Sequence, residues 1–293
     1  MPGISNSAVG DPPSEGENED PIALDLNVDA ALLLKHLVGI DSYPPVLALL
    51  PSTYHLGGRD PAHEIVAQQL AEAGVLIDDD TVHPTVEHWL QCLYRPDMEL
   101  VARIVDIGQE GEPGEMLRFS LVRAGDTHVL AVRCDDHVVI QPVFRPDRQL
   151  DTVTAALSAA LGPGEALRFE PVTVRSEQLG EVLSDPAEWR RGLVELGATP
   201  HAAGVLSRVF DEVVRRAEVV VIEHHDGTSP QPEVCLSVFD TRSGRFVVSP
   251  SVALDGEVWA TYTPGYDTAL QAGIGALIDV LPGRSWFETS RTG

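Results

Sequence analysis

The sequence predicts an α+β fold of two similar halves, each an antiparallel sheet flanked by helices, related by a pseudo-two-fold. Three observations carry this prediction. An internal repeat recurs at an offset of about 115–120 residues over most of the chain. Within each copy, short runs rich in Val, Leu and Phe are separated by turn signals, as expected of strands with one face covered. Each copy closes on a helical pattern that ends in glycine, LSAALGPG in the first and ALIDVLPG in the second.

Residues 1–20 are rich in Gly, Pro, Ser and acid and hold almost no large apolar side chain, so they cannot offset the entropy of ordering and read as a disordered acidic tail. The two halves then span 21–165 and 166–293, the second with a helical bundle, and meet near 163–175. Ile22, Leu24 and Leu26 alternate as a strand; Asn27 is placed to cap a helix whose apolar face is Ala31, Leu32 and Leu34 and which stops at Gly39. Pro44-Pro45 breaks the pattern, Gly57-Gly58 marks a loop, and a second helix fits Pro61 to Ala73, with Gly74 as its stop. A helix over Thr85–Tyr94 runs into the strand LVARIVDI, then a loop from Gly108 to Gly114, then three more strands. In the second copy a helix over Ala202–Arg216 runs into EVVVIEH, a loop from Asp226 to Gln231 and again three strands. The hairpin turns match: Ala124-Gly125-Asp126 against Arg242-Ser243-Gly244, and Asp135-Asp136 against Asp255-Gly256.

Composition excludes several classes. The formal net charge of −25 repels phosphate backbones and anionic lipid, so neither nucleic acid nor a membrane surface is an expected partner. Lys35 is the sole lysine and has no glycine-rich loop before it, which removes P-loop, Schiff-base and kinase chemistry. Cys92, Cys134 and Cys235 are widely spaced in apolar runs and read as reduced thiols; with no leader or long apolar run, they place the chain in the cytoplasm.

Few residues suggest chemistry. His224, His225 and Asp226 form the most metal-like cluster and support an alternative reading as a metal-assisted hydrolase, although adjacent strand residues point to opposite faces. Asp78-Asp79-Asp80 lacks the spacing of a calcium loop, and Cys92 with His88 lacks an orienting third group. No catalytic residue, metal site or cofactor is expected; a third reading, a ligand-sensing scaffold, requires a deep pocket. Apolar residues on the 202–216 helix, from Val205 to Val214, are rimmed by Arg208, Asp211, Glu212, Arg215 and Arg216, a pattern that suits a protein contact. Trp286 and Phe287 form an aromatic pair that serves as an anchor or a docked tail.

The acidic, lysine-poor composition, the duplicated halves, the opening LDLNVDAALLLKHLVGIDSYPPVLALLP, the MELVARI strand entry and the closing RSWFE together resemble the EspG family of mycobacterial type VII secretion, and most nearly its paralogue of the third ESX system. The resemblance implies a cytoplasmic chaperone that binds the PPE tip of a PE/PPE heterodimer, one copy of each, and keeps it soluble until export. It implies no catalysis, leaves open a homodimer of the free chain, and places the partner on the sheet, the second-half helices and the loops. On that basis Asp211, Glu212, Arg215, Thr228, Ser229 and Gln231 are the expected contact residues.

Overall fold

The computed structural model describes residues 21–50, 61–78, 80–108, 111–143, 149–178, 188–228, 231–253 and 255–292. The expected tail over residues 1–20, the Gly57-Gly58 loop, Asp79 of the acidic run and Ser229 lie outside these residues.

Strand β1 (Leu24–Asn27) leads directly into α1 (Val28–Val38). Asn27 caps that helix, its side chain accepting a hydrogen bond from the Ala30 amide at 2.8 Å, and Gly39 ends it at φ 72°, where a glycine carries no Cβ penalty. A short 3-10 turn at Pro45–Leu47, α2 (Pro61–Glu72) and α3 (Pro84–Tyr94) follow. The meander β2 (Met98–Ile107), β3 (Pro113–Ala124), β4 (Thr127–Cys134), β5 (His137–Pro142) comes next, then α4 (Asp151–Leu161). The second half begins with β6 (Val172–Arg175), α5 (Trp189–Glu195) and α6 (Pro200–Val209). Its meander is β7 (Val213–Glu223), β8 (Leu236–Thr241), β9 (Gly244–Val252), β10 (Val258–Pro264), closed by α7 (Asp267–Asp279). All four matched hairpin turns fall between the strands expected.

The two expected sheets are the halves of one ten-stranded antiparallel sheet in the order β1-β5-β4-β3-β2-β7-β8-β9-β10-β6. The order reads alike from either end, with β2 and β7 paired at the middle from Met98 against Glu223 to Asp106 against Arg215. Joining the halves there covers the long outer edges of β2 and β7 and leaves only the four-residue β1 and β6 at the rims.

Helices divide the two faces of the sheet between them. On one face, α1, α2 and α3 bury Val122, Val129, Ala131 and Ile140 of the first half, while α5 and α6 bury Phe246, Ala260 and Tyr262 of the second. The middle of the opposite face is covered by α4 and α7, which enclose Leu100, Phe119, Val219 and Val247. These two helices brace one another, the first residue of each meeting the other farther along: Ser158 donates to Asp267 at 2.9 Å and Gln271 donates to Asp151 at 2.6 Å.

One expected element is corrected. The helix predicted over Ala202–Arg216 stops at Val209, passes through a 3-10 turn at Phe210–Glu212 and becomes β7 at Val213. The segment VVRRAEVVVIE is rich in β-branched residues and buries alternate side chains from Ala217 onward; pairing with β2 on one side and β8 on the other outweighs the helical spacing of Val205, Val209, Phe210 and Val213. Arg215 is therefore a strand residue rather than the rim of a helix.

Candidate partner-binding face

The middle of the first face lies between the two helical groups and is formed by β2, β3, β7 and β8. Side chains of odd-numbered residues on β2 and even-numbered residues on β7 point there, because their neighbours Leu100, Ala102, Val219 and Val221 are taken by the core on the other side. Val101 pairs with Val220, and both are half-buried, as is Ile222. Arg103 and Glu218, the next pair along, are exposed. An apolar strip within a charged margin is the anatomy of a protein contact.

The floor beside this strip is polar but fully engaged. Glu99, buried, accepts from Ser120 Oγ at 2.8 Å and lies 3.0 Å from His224 Nε2. The carboxylate stands between hydroxyl and imidazole, so the imidazole is not positioned to take the hydroxyl proton as in a nucleophilic triad.

The proposed metal cluster is taken apart by the same geometry. His224 faces Glu99, His225 turns to the opposite face and meets Glu223 at 2.9 Å, and Asp226 is held by Arg95 at 2.9 Å and Arg291 at 2.6 Å. The hydrogen bond from Arg291 holds the Asp226 carboxyl below the usual carboxylate range. These three adjacent residues serve four separate partners, an arrangement that does not support the hydrolase reading; among the described residues no group of three or more His, Cys, Asp or Glu could hold a metal ion. Burial, reinforced by the charge of Asp97, pushes the Cys92 thiol up to about 11, so it is not a thiolate near neutrality.

The expected contact residues fall into two groups at opposite ends of β7. At its start, Asp211 and Glu212 lie on the 3-10 turn; Glu212 accepts from Ser243 Oγ at 2.6 Å, and Arg215 is paired with Asp106 across the β2–β7 seam and donates to the Leu161 carbonyl at 3.0 Å. At the far end, Thr228 and Gln231 are exposed on the loop after β7, and Thr228 Oγ1 donates to the His225 carbonyl at 3.0 Å. An eleven-residue strand separates the groups by roughly 30 Å. The central strip on β2 and β7 was not foreseen as a site; the alternation in LVARIVDI and EVVVIEH was visible, but which part of the sheet the described helices and the 3-10 turn over β2–β4 leave open depends on where they dock.

Trp286 is a docked anchor. It is buried, and its Nε1 donates to His128 Nε2 on β4 at 3.0 Å. Arg123 on β3 donates to the carbonyls of Trp286 and Thr289, and the Arg291 amide donates to Asp97 at 2.8 Å. The segment after α7 is thus a strap across the ends of β2, β3 and β4, and its Arg291 also grips Asp226 in the β7–β8 loop.

Comparison with known proteins gives a consistent result. The model of the EspG family matches residues 27–276, spanning both halves. The ESX-1 secretion-associated protein EspG1 of Mycobacterium marinum is 29% identical over 276 residues, 93% of this chain and 94% of the relative. The ESX-3 secretion-associated protein EspG3 of Mycolicibacterium smegmatis is 30% identical over 270 residues, 91% of this chain and 90% of the relative. A solved structure of the Mycobacterium tuberculosis type VII secretion system chaperone EspG5, in complex with a PE25-PPE41 dimer, shares the fold: the TM-score is 0.75 over 92% of this chain and 100% of that one, at 20% identity. A family model that spans most of the chain and relatives matched over nine-tenths of its length agree, and the chain belongs to the EspG family.

Proposed function

We propose that this protein is a cytoplasmic chaperone that binds the PPE tip of a PE/PPE heterodimer, one copy of each, keeps it soluble and delivers it to a type VII secretion machinery. The observation that carries the reading is the family match over residues 27–276. The fold shared with EspG5, solved as a complex with a PE25-PPE41 dimer, and the apolar strip Val101, Val220 and Ile222 support it. The protein works by binding: an apolar strip excludes water from a partner's exposed helix tip, and the charged margin selects the partner and sets the encounter rate. Asp211, Glu212 and Arg215 at one end of β7 and Thr228 and Gln231 at the other form the outer contacts of an elongated footprint, and Ser229, outside the described residues, is expected to join them. No cofactor or catalytic group takes part.

The test is co-expression of the full chain with each PE/PPE pair of its source genome, followed by size-exclusion chromatography with light scattering. A stable complex with one or a few pairs, containing one copy of each protein, is the expected result. Failure of every pair to co-purify overturns the proposal, and the same measurement on the free chain shows whether it is a 31.6 kDa monomer or a homodimer.

A further inference from the structure

Strand register places three arginines side by side. Arg133 on β4 is directly opposite Arg118 on β3, and Arg118 is directly opposite Arg103 on β2; all three lie on the face that carries the apolar strip. Arg216 on β7 joins them on that face, opposite Val105. Like charges directly across a sheet are destabilising, and this chain holds only 20 basic residues against 45 acidic ones. Concentrating four of the twenty on one patch works against both facts. Two of them also have a structural use: Arg118 donates to the Val46 carbonyl at 3.2 Å, and Arg133 donates to the carbonyls of Leu47 at 2.8 Å and of Ala48, holding the 3-10 turn, and to that of Asp135 at 2.7 Å. Those acceptors are neutral carbonyls. None of the four pairs with a described carboxylate within ion-pair distance, whereas Arg123, Arg215, Arg245 and Arg291 each do. Glu218, opposite Arg103, is the one acidic side chain in the same row of described residues.

We propose that this arginine row is the recognition element for carboxylates on the bound partner: the partner's docking tip presents two or more Asp or Glu side chains beside its apolar residues. The proposal rests on the chaperone reading for the identity of the partner and deepens it by stating the partner's surface chemistry. Guanidinium groups fit carboxylates in a bidentate fork, and a positive patch on a molecule of −25 charge confines favourable encounter with an acidic tip to this face. The apolar strip supplies contact area and the arginines supply register.

The experiment has two arms and uses the full chain. In the first, isotope-labelled protein is titrated with octaglutamate at 50 mM NaCl and followed by amide chemical shifts. The expected perturbations centre on Val101, Arg103, Arg118 and Glu218 and are lost in the Arg103→Glu/Arg216→Glu variant, which leaves the carbonyl-holding Arg118 and Arg133 in place. No binding, or shifts centred elsewhere, overturns the proposal. In the second, the PE/PPE pair captured by co-expression is titrated against wild type and the double variant, with melting curves confirming that both are folded. At least a tenfold loss of affinity, with a weaker dependence on salt, is expected. Unchanged affinity sinks the arginine row and leaves the chaperone reading standing. If no pair is captured, the chaperone reading fails and the peptide titration alone decides the patch.

Discussion

At the residue scale, the side chains that suggest chemistry are engaged in holding the fold. Asp226 illustrates this with a pH signature. Its folded-state pKa is lowered by the hydrogen bond from Arg291, so its pairing stabilises the fold above the carboxylate's unfolded pKa and is lost as pH falls through the folded value. Asp226→Asn is therefore expected to lower the urea midpoint at pH 7, with a deficit that shrinks as the pH falls below the ordinary carboxylate range; a deficit that does not change with pH would assign the effect to hydrogen bonding by the neutral group. Phe210 makes edge-on contacts with Trp189, Phe246 and Tyr262 at centroid distances of 5.2, 6.0 and 6.3 Å. Because the ring is only half-buried, Phe210→Ala should cost about 2–3 kcal/mol, below the 3–5 typical of a full core site. Denaturant titration checks this. Trp286→Phe keeps most of the buried area but removes the indole donor to His128, and a loss of about 1–2 kcal/mol is expected in the same assay.

At the element scale, one buried arginine fixes how the two halves join. Arg245 on β9 pairs with Asp240 at 2.6 Å and donates to the carbonyls of Leu161 and Gly162, the C-terminal end of α4. Glycines surround it, and a Cβ on Gly265 would stand 2.7 Å from the Arg245 carbonyl oxygen. Arg245→Met should cost about 3–5 kcal/mol, since it strands Asp240 and uncaps the helix end; Gly265→Ala should also destabilise, by forcing backbone apart. A melting temperature unchanged in both would refute this account. Such pins were not legible in the sequence, because Arg245 and Leu161 are 84 residues apart and no local pattern links them. The repeat, the hairpin turns, the Asn27 cap and the Gly39 stop were legible because each is decided within a few residues. The 202–216 segment misled because its apolar spacing satisfies both a helix and a strand, and only the β2 and β8 partners decide between them. The expected loop contacts Thr228 and Gln231 rest on family resemblance; the arginine row required register.

At the scale of the whole molecule, the central β2–β7 seam makes the halves mutually dependent. Expressed alone, residues 21–165 or 166–293 would each present a long unpaired edge strand, so each is expected to aggregate, while co-expression should restore a soluble complex of the two pieces. Soluble, folded monomers of either half would show that the seam is dispensable. The strap gives this dependence a direction in time. Arg123 and His128 find their partners in Trp286 across 163 and 158 residues of chain. At a synthesis rate of about 5–20 residues per second, the first half waits roughly 8–30 s on the ribosome before Trp286 exists to seal the ends of β3 and β4. During that interval His128 and the indole's empty seat are open to solvent and to other nascent chains, so a slowed ribosome should raise the fraction of this protein captured by cellular holdases.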